Sequence, residues 1–358
     1  MAWVTRQFSK GDIDRAGNAL ISIPLGDPNR EQALAVINNW RTCHGYPLQI
    51  IKMTLLNRAR KIDANALIAQ RLKRLPSIAL KLQQNPNMKL SQMQDIGGCR
   101  AVLANVRDVN KLARVYEASK SKNPHDRPVL IEKYDYISCP KADGYRGIHL
   151  VYRYQSKSPE KADFNGQRIE IQIRSKLQHA WATAVETAQT FTGQALKSRI
   201  KSANESWLRF FALMGSANAF WERKPNVPGT PANTAERVKE LRGIVNQERI
   251  LDSLDTWNAT VHHLAENVHP DADAFLLVLD PTRRTLQIEA YAADELQTAQ
   301  ERYLQVEKET ERDPQIQVVL VSVDSIDALR RAYPNYYVDT SDFIKVVRRI
   351  ISEKTYAR

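Results

Sequence analysis

The chain has 358 residues, 43% of them hydrophobic, which is enough to bury real cores, and its length favours two domains or one domain with large appendages. No apolar run approaches the roughly 18 residues of a membrane span and no apolar signal stretch opens the chain, so a cytoplasmic location away from membranes is expected. Cys43, Cys99 and Cys139 are widely spaced with no C-x-x-C pair, which argues against a disulfide framework or a cysteine zinc site; they read as free thiols. His262, His263 and His269 lie where there is no cysteine, so metal ligation there would need other partners.

The net charge of +12 is unevenly spread. Residues 1–225 hold 36 Lys+Arg against 18 Asp+Glu, a net of +18, whereas residues 226–358 hold 16 against 22, a net of −6. A basic part attracts polyanions such as nucleotides and RNA, and an acidic part of the same chain can compete for that surface. The Pro/Gly-rich stretch between Pro225 and Pro231 marks the boundary, giving residues 1–225, a linker at 226–233 and a small α+β region at 234–358.

In chain order, Ala33, Val36, Ile37 and Trp40 follow helical spacing after the turn Gly26-Asp27-Pro28-Asn29, predicting a helix over 30–40. A second helix is expected over 55–69 and a third over 77–82, with Pro76 tolerated at its first turn. Strands are expected at 99–104, 129–137, 147–154 and 168–174, with a helix over 107–119 between the first two, then helices over 176–190 and 205–221. Beyond the boundary come one or two helices over 234–264, a hairpin of 274–280 with 286–291, a charged helix to about 312, a strand over 315–323 and short helices. The fold class is therefore α/β, a mixed β-sheet flanked by helices, followed by a small α+β domain.

Four stretches carry candidate chemistry. In Arg168-Ile-Glu170-Ile-Gln172-Ile-Arg174, strict alternation puts three isoleucines into the core and the polar residues on the opposite face. Alone, this is equally an ordinary half-exposed strand. Asp95-Ile-Gly-Gly-Cys-Arg100 places a carboxylate ahead of a strand, with glycines that let backbone approach a ligand. Asp95 and Glu170 could then share a Mg²⁺ that also holds ATP phosphates, since this ion takes one or two protein carboxylates plus phosphate oxygens and waters. Arg71 and Lys73 point the same way if extended, while Ser77 and Lys81 stack at i, i+4 on the helix that follows; a solvated basic helix would look the same. Lastly, the turn-rich run from Asp135 to His149 presents Lys141, Tyr145 and His149 beside glycines, where Tyr145 either stacks on a purine, worth about 1–3 kcal/mol, or is a buried turn residue.

The ordered set R-x-K-x-x-x-S-x-x-x-K, D-I-G-G-C-R, D-Y-I-x-x-P-K-x-x-G-Y-x-x-x-H and E-I-Q-I-R resembles the RelA/SpoT synthetase domain over roughly residues 30–190. The resemblance implies a nucleotidyltransferase-like fold and transfer of pyrophosphate from ATP to a ribose 3'-hydroxyl. By it, Arg71, Lys73, Ser77 and Lys81 would bind ATP, with Arg107 on the adenine. Asp95 and Glu170 would hold Mg²⁺, with Glu170 as general base. Tyr145 would stack on the acceptor base, with Lys141, His149, Gln172 and Arg174 around acceptor and phosphates. Tyr134 stands where long alarmone synthetases carry a basic residue, and Asp143 replaces their Asn before Gly144-Tyr145.

Only about 30 residues precede the synthetase-like helices, so a hydrolase domain is not expected, and the chain is similar instead to single-synthetase toxins. Residues 16–20 and the run from Asn38 to Leu48 are similar to the CapRel group of fused toxin–antitoxins, and Tyr333-Pro-Asn-Tyr336 to the Y-x-x-Y of that group's pseudo-zinc-finger. That likeness implies transfer to the 3'-CCA end of tRNA and translation arrest. It also implies a C-terminal antitoxin domain closing over the ATP site through Tyr333 and Tyr336, and release by a phage major capsid protein. Synthesis of guanosine or adenosine alarmones on free nucleotides is the alternative.

Overall fold

Ile169, Ile171 and Ile173 are fully buried along β5 (Arg168–Ser175), and their alternation fixes which face of the central strand meets the core. The structure, a computed structural model, describes residues 3–118, 128–192, 205–260, 262–265, 272–313, 315–323, 325–337 and 339–352; His269 lies outside them. Strand β5 runs parallel to β2 (Gly97–Leu103) and antiparallel to β4 (Ile148–Arg153), which pairs with β3 (Val129–Asp135). On the other side of β2 lies β1 (Leu67–Leu72), antiparallel to it.

The N-terminal helices start where local chemistry caps them. Ser9 and Asp12 form a capping box at α1 (Lys10–Ser22), and Asp27 accepts from the Asn29 amide at α2 (Pro28–Thr42), with Pro28 in the first turn. Helix α3 (Gly45–Arg60) ends earlier than the helix expected over 55–69, and part of that stretch is β1. Asp63 is the reason: its carboxylate accepts from the Asn65 amide and, across the turn, from that of Ala104, so the chain bends there. The apolar run that follows is too short for periodicity to separate strand from helix. Helix α4 (Leu75–Gln84) carries Pro76 in its first turn. Helix α5 (Val106–Ala118) bridges β2 and β3, and α6 (Lys176–Thr192) and α7 (Glu205–Trp221) follow β5 as expected.

The C-terminal segment adds α8 (Thr234–Gln247), α9 (Ile250–Thr260), β6 (His262–Ala265), β7 (Ala274–Asp280) and β8 (Thr285–Tyr291). Then come α10 (Leu296–Glu309), β9 (Gln317–Ser322), α11 (Ile326–Ala332) and α12 (Ser341–Ser352). β7 and β8 form the expected hairpin, and β9 pairs antiparallel with both β7 and β1, the latter through Gln70 opposite Ser322 and Arg71 opposite Val321. One nine-stranded mixed sheet results, in the order β3-β4-β5-β2-β1-β9-β7-β8-β6. The mixed α/β class expected from sequence is the class observed.

Val227 anchors the otherwise largely exposed stretch 226–233 to α7. Val227 is buried and its amide donates to Ser216 Oγ of α7, and one apolar cluster joins Trp207 and Phe210 to Val238, Leu241, Leu254 and Phe343. The reversal of charge sign therefore coincides with no break in packing. Among the described residues no helix is long and apolar enough to cross a membrane.

A buried ion pair ties α2 to α10. Arg41, 1% exposed, meets Glu307 of α10 at 2.6 Å, donates to the Lys73 carbonyl at 3.0 Å and bonds Tyr303, while Glu307 also accepts from the Leu75 amide at 3.1 Å. Removing one partner strands a buried charge. Glu307→Ala is expected to cost about 3–5 kcal/mol in denaturant unfolding; an unchanged midpoint would contradict this assignment.

Candidate active site

Cross-strand register brings four sequence-distant stretches onto one face. Arg71 stands opposite Gly98, Gly98 beside Glu170, Arg100 beside Gln172, and Gln172 opposite His149. Arg71, Lys73, Asp95, Arg100, Glu170 and Gln172 line one small pocket. Gly98, on β2 between Arg71 of β1 and Glu170 of β5, leaves that face without a side chain there.

Asp95 is held by two lysines, Lys73 Nζ at 2.8 Å and Lys81 Nζ at 2.9 Å, the latter from α4. Burial pushes the Asp95 carboxyl up, but the two ammonium groups outweigh it and hold it well below the usual range. Lys73 is itself lowered by burial, against the pull of Asp95.

Glu170 belongs to a closed ring of hydrogen bonds. Its oxygens accept from His149 Nδ1 at 2.8 Å and Gln172 Nε2 at 2.7 Å; Gln172 Oε1 accepts from Arg174 at 2.8 Å; Arg174 Nε donates to the Tyr145 hydroxyl at 3.2 Å, which meets His149 Nε2. An ionised carboxylate only accepts, so His149 donates from Nδ1 and receives the Tyr145 proton at Nε2, which satisfies every member. Burial raises the Glu170 carboxyl, but His149 and Gln172 bring it below its ordinary value, so it is a ready acceptor at neutral pH.

Two carboxylates on one pocket, close enough that Asp95 raises Glu170, suit a hard divalent ion, and the cations beside them suit its phosphate ligands. Among the described residues no group of three or more His, Cys, Asp or Glu forms a fuller metal cage. The donor set therefore fits a hard divalent ion shared with a polyphosphate.

The other expected residues are placed as follows. Ser77 sits in the first turns of α4, outside the pocket lining. Arg107 is exposed on α5, beyond the C-terminal end of β2, whereas Asp95 precedes that strand, so the two residues lie at opposite ends of β2. Tyr145 is only 8% exposed, its ring edge-on to Trp181 and Tyr136. Gly144 is the cause: at φ +97° its missing Cβ lets Phe211 of α7 approach, so the loop sinks inward and carries Tyr145 with it. Lys141 lies 4.4 Å over the Tyr136 ring and 5.3 Å over that of Tyr145.

Tyr136, half-buried and stacked on the exposed Tyr134 at 5.9 Å, is the aromatic face that sequence reasoning passed over. Arg100 was missed too, although period-two spacing from Gly98 puts it on the polar face. Burial and Arg174 push its guanidinium down to about 10.

Tyr333 lines the same pocket. It is 2% exposed, its hydroxyl donates to the Gln70 carbonyl at 3.2 Å, and Arg100 lies over its ring at 5.6 Å while bonding the Ala332 carbonyl. Tyr336, fully buried, packs edge-on to it at 6.4 Å. With Tyr333 in place the pocket holds about 50 Å³, far below the roughly 300 Å³ at which small-molecule sites begin.

Residues 70–193 match the family profile described as "Region found in RelA / SpoT proteins". The match covers 124 of the 358 residues. The chain is 30% identical over 147 residues to "GTP pyrophosphokinase YjbM" of Bacillus subtilis, covering 39% of this chain and 65% of that protein. It is 27% identical over 119 residues to "GTP pyrophosphokinase YwaC" of the same species, covering 32% of this chain and 52% of that one. The chain thus spans less than two thirds of either relative. Among solved structures, small alarmone synthetase 1 of Bacillus subtilis bound to its product pppGpp aligns at 20% identity and a TM-score of 0.41, over 62% of this chain and all of that one. The RelA/SpoT match includes Arg71, Lys73, Ser77, Lys81, Asp95, Lys141, Tyr145, His149, Glu170, Gln172 and Arg174.

Buried histidines give the molecule an acid-side weakness. Burial holds His44 down to about 4 and His179 to about 3, both below the 6.5 of a free imidazole. Their contribution to stability is complete above about pH 6.5 and is lost as pH falls toward those values. Between pH 7 and pH 5 each is expected to cost about 2 kcal/mol. Urea unfolding at the two pH values checks this; equal midpoints would refute it.

Proposed function

We propose that the chain is a Mg²⁺-dependent pyrophosphokinase that moves a pyrophosphoryl group from ATP to a ribose 3'-hydroxyl, and that it rests closed. The observation that carries the reading is the shared pocket of Asp95 and Glu170, ringed by Arg71, Lys73 and Arg100 and plugged by Tyr333. Arg71, Lys73 and Lys81 would bind the triphosphate, the lysines exchanging their bonds to Asp95 for phosphate oxygens. Asp95 and Glu170 would hold the metal, which supplies charge neutralisation at the phosphates. The acceptor 3'-oxygen attacks the β-phosphorus, the bond to the α-phosphate oxygen breaks and AMP leaves, while the proton passes to Glu170, oriented by His149 and Gln172. Arg174, Tyr145 and Lys141 would steady the acceptor end, and Tyr136 offers the more exposed stacking face.

The acceptor we infer is the 3'-CCA end of tRNA, supported by the net +18 of residues 1–225. A free guanosine or adenosine nucleotide is the second reading, favoured by the printed names of the two similar pyrophosphokinases. By the CapRel resemblance, residues 234–358 act as a built-in antitoxin of pseudo-zinc-finger type, with Tyr333 and Tyr336 as its plug. A phage major capsid protein that prefers the open form would release it and arrest translation in the infected cytoplasm. Radiolabel from the ATP γ-phosphate, offered to deacylated tRNA and to GDP, GTP and AMP, separates the two acceptors: label on the tRNA 3'-end supports the first, and label on nucleotides alone rejects it.

A further inference from the structure

The loop that carries Tyr145 is fastened to the α7 segment at two points, one on either side of that residue. At Gly144 the contact is backbone to backbone. A Cβ on Gly144 would stand 2.5 Å from the Phe211 carbonyl oxygen, and one on Gly215 would stand 2.6 Å from the Gly144 carbonyl oxygen. Trp181 of α6 adds to this seat by donating from Nε1 to the same Phe211 carbonyl at 2.9 Å.

At Arg146 the fastening is a buried ion pair. Its guanidinium, 2% exposed, donates from Nη1 at 2.6 Å to Glu222, the residue after the last turn of α7, whose side chain is 5% exposed. Glu222 also accepts from Ser175 Oγ at the end of β5 and from Gln178 Nε2 of α6 at 2.9 Å. Among the described residues Arg146 makes no other ion pair, and its Nε and Nη2 are buried without partners. Burial already pushes the guanidinium down, against the pull of Glu222. A buried cation with a single partner stays buried only while that partner is charged.

Tyr145, between the two fastenings, donates to His149 Nε2 and accepts from Arg174 Nε at 3.2 Å, so it closes the ring that orients Glu170. Because Arg146 adjoins it, a guanidinium that leaves for water draws the Tyr145 hydroxyl off that ring. Among the described residues, the side-chain partners of Glu222 are Arg146, Ser175 and Gln178, and none of the cations proposed for ATP is among them.

We infer that Glu222 is a positioning residue for the acceptor: through Arg146 it holds residues 144–146, and with them Tyr145, against α7. The inference rests on the transfer reaction proposed above and concerns its acceptor side alone. Glu222 and α7 lie beyond residues 70–193, so this support comes from outside the stretch that matches the family profile.

Steady-state transfer in the Tyr333→Ala full chain, with ATP and acceptor each varied, tests this. Deacylated tRNA, GDP, GTP and AMP are offered, and the one that takes label is varied. Glu222→Gln is expected to raise KM for that acceptor at least about tenfold while KM for ATP stays within about twofold, and Glu222→Asp to recover part of the loss. Gly215→Ala changes no charge but sets a methyl group against the loop backbone. It is expected to move the same constant in the same direction, so the answer does not hang on the folding of Glu222→Gln. An acceptor KM unmoved in both Glu222→Gln and Gly215→Ala overturns the role of Glu222. So does a fall in kcat alone or an equal rise in both KM values, the mark of a merely structural loss. No transfer by Tyr333→Ala with Glu222 intact is a different failure: it removes the reaction itself, and this inference with it.

Discussion

Tyr333→Ala in the full chain is expected to raise transfer activity about a hundredfold. Truncating a buried aromatic ring costs about 3–5 kcal/mol, and on the proposed function much of that loss falls on the closed form alone, because the ring lines the pocket ATP would enter. About 3 kcal/mol of bias is two decades in the open fraction. Tyr336→Ala, which removes the ring packed on Tyr333, should act in the same direction, and the double variant should exceed either alone. Tyr333→Phe loses only the bond to the Gln70 carbonyl and should give a few-fold rise, of order 1 kcal/mol. Growth arrest on expression and transfer assays read the effect. If both tyrosine variants behave as the parent while folded, the plug is structural.

Glu170→Gln is expected to lower transfer at least about a thousandfold with the fold intact. The substitution keeps the shape of the side chain but removes its negative charge, and with it the proposed proton acceptor, itself worth roughly 10²–10⁴ in rate, and one of the two carboxylates that would face a metal and phosphates. Asp95→Asn should be comparably severe, since it also leaves Lys73 and Lys81 without their shared counter-charge. Circular dichroism and the unfolding midpoint distinguish lost chemistry from lost structure. Appreciable transfer by a folded Glu170→Gln protein would remove Glu170 from its assigned role.

Much of the site was legible in the sequence because strand period and motif spacing act locally. Alternation in β5 placed Glu170, Gln172 and Arg174 on one face, and the i, i+4 pair on α4 carried Lys81 toward Asp95. What sequence could not supply came from long-range packing. Nothing local says that β9 extends the sheet beside β1, or that Arg41 is paired with Glu307 from 266 residues away. Nothing local says that Tyr145 is drawn inward by contact between Gly144 and α7. The Pro/Gly-rich stretch suggested a linker at 226–233; Val227 within it is buried against α7, and one apolar cluster holds residues from both sides of it. Residues 1–225 alone would therefore expose the β1 edge and leave Arg41 buried or bare without its carboxylate, so the full chain is the right material for every assay.

The central claim is pyrophosphoryl transfer through the Asp95–Glu170 pocket, and the most direct test uses three full-length proteins: the parent, Tyr333→Ala, and Tyr333→Ala with Glu170→Gln. Each is given Mg²⁺, γ-labelled ATP, deacylated tRNA and free nucleotides. The account predicts slow label transfer by the parent, fast transfer by Tyr333→Ala with AMP released in equal amount, and none by the double variant. Absence of transfer from the folded Tyr333→Ala protein to any acceptor, or transfer undiminished by Glu170→Gln, would contradict it.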